Sequence, residues 1–192
     1  MRDRLLSLAS SALADALGRR GAVDSSIRLL SGERLAGRAV TARCAPRSVT
    51  AMFDALRTAG EGDVLCLEAG GEWAYFGEVA GAEAVRRGVA GIVVDGLVRD
   101  LAGLRALGLT VYARGTIPVG GSLNEGGEAG VPIEVGGQSV HPGDWLVGDP
   151  DGVVVIAAGE ADAAAAAAEA ATAAEAVTLR RIAQGESLFQ HR

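Results

Sequence analysis

Apolar side chains recur at helical spacing over residues 4 to 18 (RLLSLASSALADALG), which predicts an amphipathic N-terminal helix closed at Gly18. The period then changes. GRAVTARC (37–44) reads as a strand, Ser48 can cap a helix over VTAMFDALRTAG to about residue 59, and DVLCLE (63–68) reads as a second strand. Beyond GGEWAYFG the pattern predicts a helix over about 78 to 87 that stops at Gly88, a strand GIVV at 91–94, a helix LAGLRAL from 101 and a strand TVYA at 110–113. Such alternation predicts parallel strands joined by helices, an α/β fold. GTIPVGGSLNEGGEAGVP reads as a long surface loop, because Gly and Pro break any regular pattern. Short β-prone runs separated by turn pairs at 136–137, 142–143 and 151–152 then predict a small antiparallel section. From Glu160 the chain is rich in Ala and Glu, and Val177, Leu179 and Ile182 give it some apolar face, so a C-terminal helix is predicted to about residue 184.

Composition narrows what this framework can do. A chain of 192 residues with 49% apolar side chains is the size of one domain with its own core, here residues 1–192. No apolar stretch exceeds a strand in length and the N-terminus lacks a signal-peptide core, so a cytoplasmic protein with no membrane contact is expected. All 18 basic residues are arginine. Without lysine there is no Schiff base with a carbonyl substrate, no pyridoxal phosphate aldimine and no Walker A loop. A net charge of -6 and 4% aromatic residues argue against nucleic acid as a partner. Cys44 and Cys66 sit in apolar runs and read as buried reduced thiols. His141 and His191 are too far apart in sequence for a zinc motif, GxSxG is absent, and His141 lies in the turn-like VHPGD; carboxylates are the ligands left, and they suit magnesium or manganese.

The candidate chemistry lies between residues 77 and 100. Gly77 and Glu78 open a helix whose first N–H groups lack intrahelical partners, and such an end attracts an anion. VVDGLVRD (93–100) sets Arg99 and Asp100 at the carboxyl end of the next strand, where ligands bind in open α/β sheets. A small carboxylate can be gripped there by the amides of residues 77 to 80 and by Arg99. A helix terminus contributes about 0.3 to 2 kcal/mol and a charge-assisted hydrogen bond about 1.5 to 3, together roughly 4, which corresponds to millimolar binding. That strength suits a metabolite rather than a tightly held cofactor. A divalent cation near Asp100 would strengthen binding of a 2-oxo acid and stabilise the enolate left when the adjacent carbon–carbon bond breaks. Ordinary readings stand beside these: Asp100 as the N-cap of LAGLRAL, Arg99 as one half of a surface ion pair, Asp95-Gly96 as a turn, and Asp149 and Asp151 as turn residues around Pro150.

RLAGRAVTARC, EGDVLCLEAGG, GEVAGAEAVRRGVAGIVVDGLVRD, TVYARGTIP and VGGQSVHPGDWLVGDPDGVVVI, in that order over about residues 35 to 157, resemble the RraA-like proteins. That family includes 4-hydroxy-4-methyl-2-oxoglutarate aldolases, which also decarboxylate oxaloacetate, and RraA regulators that bind and inhibit ribonuclease E. The resemblance implies a swivelling β/β/α fold with flanking N- and C-terminal helices, assembled as homotrimers or hexamers. It implies a carbon–carbon lyase dependent on Mg2+ or Mn2+, releasing pyruvate from a 2-oxo acid; the alternative is a non-catalytic regulator. An acidic residue, twenty residues and an Arg-Asp pair form the aldolase signature, matched by Glu78, Arg99 and Asp100. By that match the catalytic set is Arg99, Asp100 and Glu78. The amides of Gly77, Glu78, Val79 and Ala80 together with Arg99 bind substrate, and Asp100 binds the metal. The aldolase pattern has Asp where this chain has Glu78.

Overall fold

The computed structural model describes the backbone of residues 1–191 and the side chains through Phe189. The predicted N-terminal helix is two helices, α1 (Arg2–Leu6) and α2 (Ser10–Ala16). The break has a local and a distant cause. The Ser7 hydroxyl donates back to the Arg4 carbonyl (2.7 Å), ending α1, and Ser10 is held by a distant carboxylate described below.

Strand β1 (Arg28–Ser31) precedes the long β2 (Leu35–Arg43), and α3 (Thr50–Thr58) carries the chain to β3 (Val64–Glu68). Ser48 does stabilise the start of α3: the Thr50 N–H donates to its hydroxyl (3.3 Å). Short β4 (Ala74–Phe76) leads directly into α4 (Glu78–Arg86), which ends before Gly88, whose φ of 74° only glycine adopts without cost. Then come β5 (Gly91–Val98), α5 (Leu101–Ala106) and β6 (Val111–Thr116). The remaining elements are β7 (Glu128–Ala129), the hairpin β8 (Ile133–Val135) and β9 (Gln138–Val140), the pair β10 (Trp145–Asp149) and β11 (Gly152–Ile156), and the C-terminal helix α6 (Ala161–Ala183).

The main sheet runs β1-β6-β5-β3-β2-β10-β11, with β4 beside β5 and β7 beside β2. As expected, β2, β3, β5 and β6 are parallel. Its margins are antiparallel: β1 on β6, and β10 on β2. Alternate side chains of the central strands serve two cores, which is why the strands read as unbroken apolar runs. Leu65, Leu67, Ile92 and Val94 pack against Met52 and Leu56 of α3, Ala84 of α4 and Leu104 of α5. Val64, Cys66 and Val93 face the other way, onto Val135 and Val140 of the small hairpin and Leu146 of β10. The layers are therefore helix, sheet and β-hairpin. A third cluster joins α1, α2 and the first turns of α6 to Trp145, Val147 and Ile156.

Two further expectations change. Asp95-Gly96 is no turn, because β5 continues to Val98 with an irregularity in its register between Val94 and Leu97. The Asp95 carboxylate pairs with Arg114 and accepts the Gly136 N–H (2.7 Å), which satisfies it inside the sheet. Asp149 is likewise more than a turn residue. It is buried and accepts from the N–H and hydroxyl of Ser10 (2.8 and 2.6 Å) and from the Asp151 N–H (3.0 Å), tying the start of α2 to the β10–β11 turn. Burial opposes its charge, but these donors outweigh burial and hold its carboxyl below the usual carboxylate range.

Candidate active site

The parallel order places the carboxyl end of β5 beside the start of α4. β4 pairs with the end of β5, the Arg99 N–H donates to the Phe76 carbonyl (2.9 Å), and Gly77 forms the N-cap of α4 in an extended conformation. The first-turn amides of Val79 and Ala80 thus open beside Arg99 and Asp100, and that of Glu78 points at Asp100 itself. Gly77, Val79, Ala80, Arg99 and Asp100 line one cleft, whose empty volume of about 380 Å3 includes open solvent.

Asp100 is the pivot. It stands at the N-cap position of α5, yet its backbone is left-handed (φ 55°, ψ 40°) and its side chain makes no cap bond to that helix. Its Oδ2 instead accepts the Glu78 N–H at 3.3 Å and lies 3.3 Å from Arg99 Nε. The α5 cap expected from spacing is not made; the carboxylate serves the first amide of α4 instead. A left-handed non-glycine residue costs roughly 1 to 3 kcal/mol. The Arg99–Asp100 pair is nearly half exposed on both sides, and such pairs return about 0 to 1 kcal/mol. Aspartate is among the few side chains that tolerate this conformation, which keeps the cost of the backbone at the low end of that range.

The Glu78 side chain is exposed, and its carboxylate lies over the first turn of α5: a Cβ added at Gly103 would stand 2.3 Å from Glu78 Cδ and 2.4 Å from Oε2. Glu78 therefore borders the cleft through its backbone, while its carboxylate is set against Gly103.

The segment expected to be a surface loop supplies another wall. The Ala74 N–H donates to the Val119 carbonyl (2.8 Å) and the Gly121 N–H to the Ala74 carbonyl (3.0 Å), fixing Gly120 under Arg99. A Cβ at Gly120 would lie 2.4 Å from Arg99 Nη1. The loop continues to the start of α3, where the Ser48 and Thr50 hydroxyls both donate to the Asn124 carbonyl (2.6 Å each). Val49, Met52 and Phe53 complete the lining. Sequence reasoning missed both contributions: a Gly-Gly pair marks irregular chain, but nothing local indicates that the chain crosses to Ala74.

Among the described residues no group of three or more His, Cys, Asp and Glu side chains could hold a metal. Among the described residues Asp100 is the one carboxylate lining the cleft, which rules out a closed cage but suits a hard cation that keeps water and takes substrate oxygens. His141 lies apart from this cleft, in a turn where Asp144 accepts its N–H (2.8 Å) and stands 3.5 Å from Nδ1; the His191 side chain is outside the described residues. Cys44 and Cys66 are buried free thiols, and burial pushes Cys44 up to about 12 and Cys66 further still, so neither is a nucleophile. No described helix is long and apolar enough to cross a membrane.

A curled α/β sheet thus brings a helix start, one arginine and one carboxylate together at its carboxyl edge. The family follows from comparison. The Aldolase/RraA family model matches residues 10–155, and the chain belongs to the RraA-like family. A protein of Halalkalibacterium halodurans named "Putative 4-hydroxy-4-methyl-2-oxoglutarate aldolase" is 34% identical over 156 residues, 80% of this chain and 74% of that protein. A relative of the same name from Laribacter hongkongensis is 40% identical over 123 residues, 63% of this chain and 77% of its own. Among solved structures, Streptomyces coelicolor RraAS2, described as an unusual member of the RNase ES inhibitor RraA protein family, superimposes with a TM-score of 0.85 at 30% identity, covering 93% of this chain and 96% of that one. The fold is that of the RraA proteins, C-terminal helix included.

Proposed function

We propose that this protein is a divalent-metal-dependent carbon–carbon lyase, releasing pyruvate from 2-oxo acids such as oxaloacetate and 4-hydroxy-4-methyl-2-oxoglutarate. The observation that carries this reading is the convergence of the α4 N-terminus, Arg99 and Asp100 on one cleft. The amides of Gly77, Val79 and Ala80 and the Arg99 guanidinium would hold the substrate carboxylate, with the Glu78 amide shared between it and Asp100 Oδ2, fixing the scissile bond relative to Asp100. Asp100 would hold Mg2+ or Mn2+ through its carboxylate and bound water. Such a cation polarises the keto carbonyl and stabilises the negative charge that develops on its oxygen. Arg99 Nε, 3.3 Å from Oδ2, orients Asp100 for that role. Glu78 contributes its amide and, through its packing on Gly103, sets the spacing of α4 and α5.

Aldolase-named relatives support the same reading, as does a chain without lysine, which leaves metal rather than Schiff-base chemistry for stabilising an enolate. We place the protein in the cytoplasm as a homotrimer or hexamer, with no nucleic acid or membrane partner. The test is pyruvate release from oxaloacetate with Mn2+ and with EDTA, for the wild type and Asp100→Ala. A metal-dependent rate lost in the variant is expected; a rate equal to the uncatalysed one, or unaffected by Asp100→Ala, sinks the proposal. The likeness to RraAS2 favours a second reading, a non-catalytic regulator that binds and inhibits ribonuclease E. Stoichiometric capture of a ribonuclease without turnover would select it.

A further inference from the structure

Two carboxylates cross between the starts of α4 and α5. Asp100, at the N-cap position of α5, lies over Gly77 at the N-cap of α4, where an added Cβ would come within 2.6 Å of its Oδ2. Glu78, the first residue of α4, lies over Gly103 in the first turn of α5, where an added Cβ would stand 2.7 Å from its Cγ and closer still to its carboxyl group. Neither glycine has a positive φ, so the backbone demands glycine at neither position. Each instead keeps open the space that the opposite carboxylate fills. Asp100 also departs from an ordinary N-cap in two respects. Such a residue has an extended backbone and bonds the second or third amide of its own helix; Asp100 is left-handed and bonds the first amide of α4. The first turn of α5 is faced by the Glu78 carboxylate, a negative charge at the positive end of that helix.

We infer that Glu78 is a positioning residue for Asp100. Seated on Gly103, its carboxylate takes the place from which Asp100 would cap α5, and so leaves Asp100 turned to α4 and the cleft. Without it, Asp100 regains an extended backbone and turns to its own helix. The length of glutamate supplies the reach from α4 to Gly103; an aspartate at this position would fall short by one carbon–carbon bond, about 1.5 Å. The use of Asp100 as a metal ligand rests on the lyase reading, whereas the direction in which Asp100 points does not.

The test uses the purified, assembled protein. Mn2+ binding is followed by electron paramagnetic resonance, and crystal structures of the variants show where Asp100 points. A carboxylate that faces the cleft in about one molecule of ten weakens the apparent affinity about tenfold, so Glu78→Ala is expected to raise the Mn2+ Kd by about that factor, with Asp100 turned to α5. Gly103→Ala, which displaces the Glu78 carboxylate, should do the same, and the double variant should be no worse than either single one. Glu78→Gln keeps an acceptor oxygen at the same reach and should stay within about threefold of the wild-type Kd. Because the defect is one of population, pyruvate release by Glu78→Ala should return toward the wild-type rate as Mn2+ is raised, which the loss of a group acting on the substrate would not allow. Glu78→Gln as weak as Glu78→Ala, Gly103→Ala with wild-type affinity, or Asp100 still turned to α4 in Glu78→Ala overturns the inference. If the wild type binds no Mn2+ and releases no pyruvate, the lyase reading fails, while the crystal structures still decide what turns Asp100.

Discussion

Gly120→Ala offers a direct test of how the cleft is assembled. Gly120 has no left-handed φ, so its backbone accepts alanine, and the flanking bonds through Val119 and Gly121 are main-chain bonds that the substitution leaves intact. The added Cβ would stand 2.4 Å from Arg99 Nη1 and 2.9 Å from Cζ, where ordinary contact begins near 3.4 Å. Those atoms belong to the end of a flexible, half-exposed side chain, so Arg99 should yield rather than the fold, by about 1 Å. A misplacement of about 1 Å can cost a hundredfold in rate, and the charge-assisted hydrogen bond at stake is worth about 1.5 to 3 kcal/mol, or roughly 10- to 150-fold. Steady-state pyruvate release should therefore show kcat/KM reduced about 10- to 100-fold, with Tm unchanged or slightly raised, since Gly→Ala at a compatible site stabilises by about 0.4 to 1 kcal/mol. Gly71→Ala is the control, because its Cβ would meet nothing within 4 Å. If Gly120→Ala keeps kcat/KM within about twofold while Arg99→Ala abolishes activity, the packing of Arg99 on residue 120 does not position it, and the reasoning is refuted.

Arg99→Lys should raise KM about tenfold or more with a smaller change in Tm, because a point charge on a flexible stem replaces a planar fork; steady-state kinetics would reveal it. Asp149, held below the usual carboxylate range, contributes stability that is present above the unfolded-state value near 3.9 and is lost as pH falls through the lower folded value. Ser10→Ala removes one of its donors, so acid unfolding followed by circular dichroism should begin at higher pH, with about 1 kcal/mol lost at neutrality. Tyr112→Phe removes the hydroxyl that donates to the Asp149 carbonyl (2.8 Å) and should cost about 1 kcal/mol in urea titration; combined with Ser10→Ala, the two losses should not add, because both act through one residue.

Much of this architecture is legible in the amino-acid order, for identifiable reasons. The central strands are buried on both faces, so their apolar runs stand out, and α4 is marked at both ends by Gly77 and Gly88. What escaped was decided by distant contacts. Asp95-Gly96 carries a strong turn signal, but Arg114 and the Gly136 amide satisfy the carboxylate within a continuing strand. Residues 4 to 18 have helical periodicity throughout, yet Asp149, far along the chain, captures Ser10 and starts a second helix there. In the cleft, Arg99, Asp100 and the α4 amides could be named from their spacing, whereas Gly120 and the α3 wall could not, because no local pattern encodes where an irregular segment crosses. Asp100 reads locally as the cap of α5, a bond it does not make, and only the three-dimensional arrangement of α4 and β5 turns its carboxylate to α4.

The left-handed backbone at Asp100 also bears on how such proteins diverge. That conformation is tolerated by few side chains, chiefly glycine, asparagine and aspartate. Asparagine is one base change from aspartate, nearly the same shape, and still able to accept the Glu78 N–H. It lacks the full negative charge that a hard cation demands. On the proposed lyase reading the position is therefore permissive for architecture and exacting for chemistry, and a single nucleotide would separate a chain able to hold the cation from one with the same scaffold. A family containing both kinds of protein need not have rebuilt its scaffold to pass from one to the other.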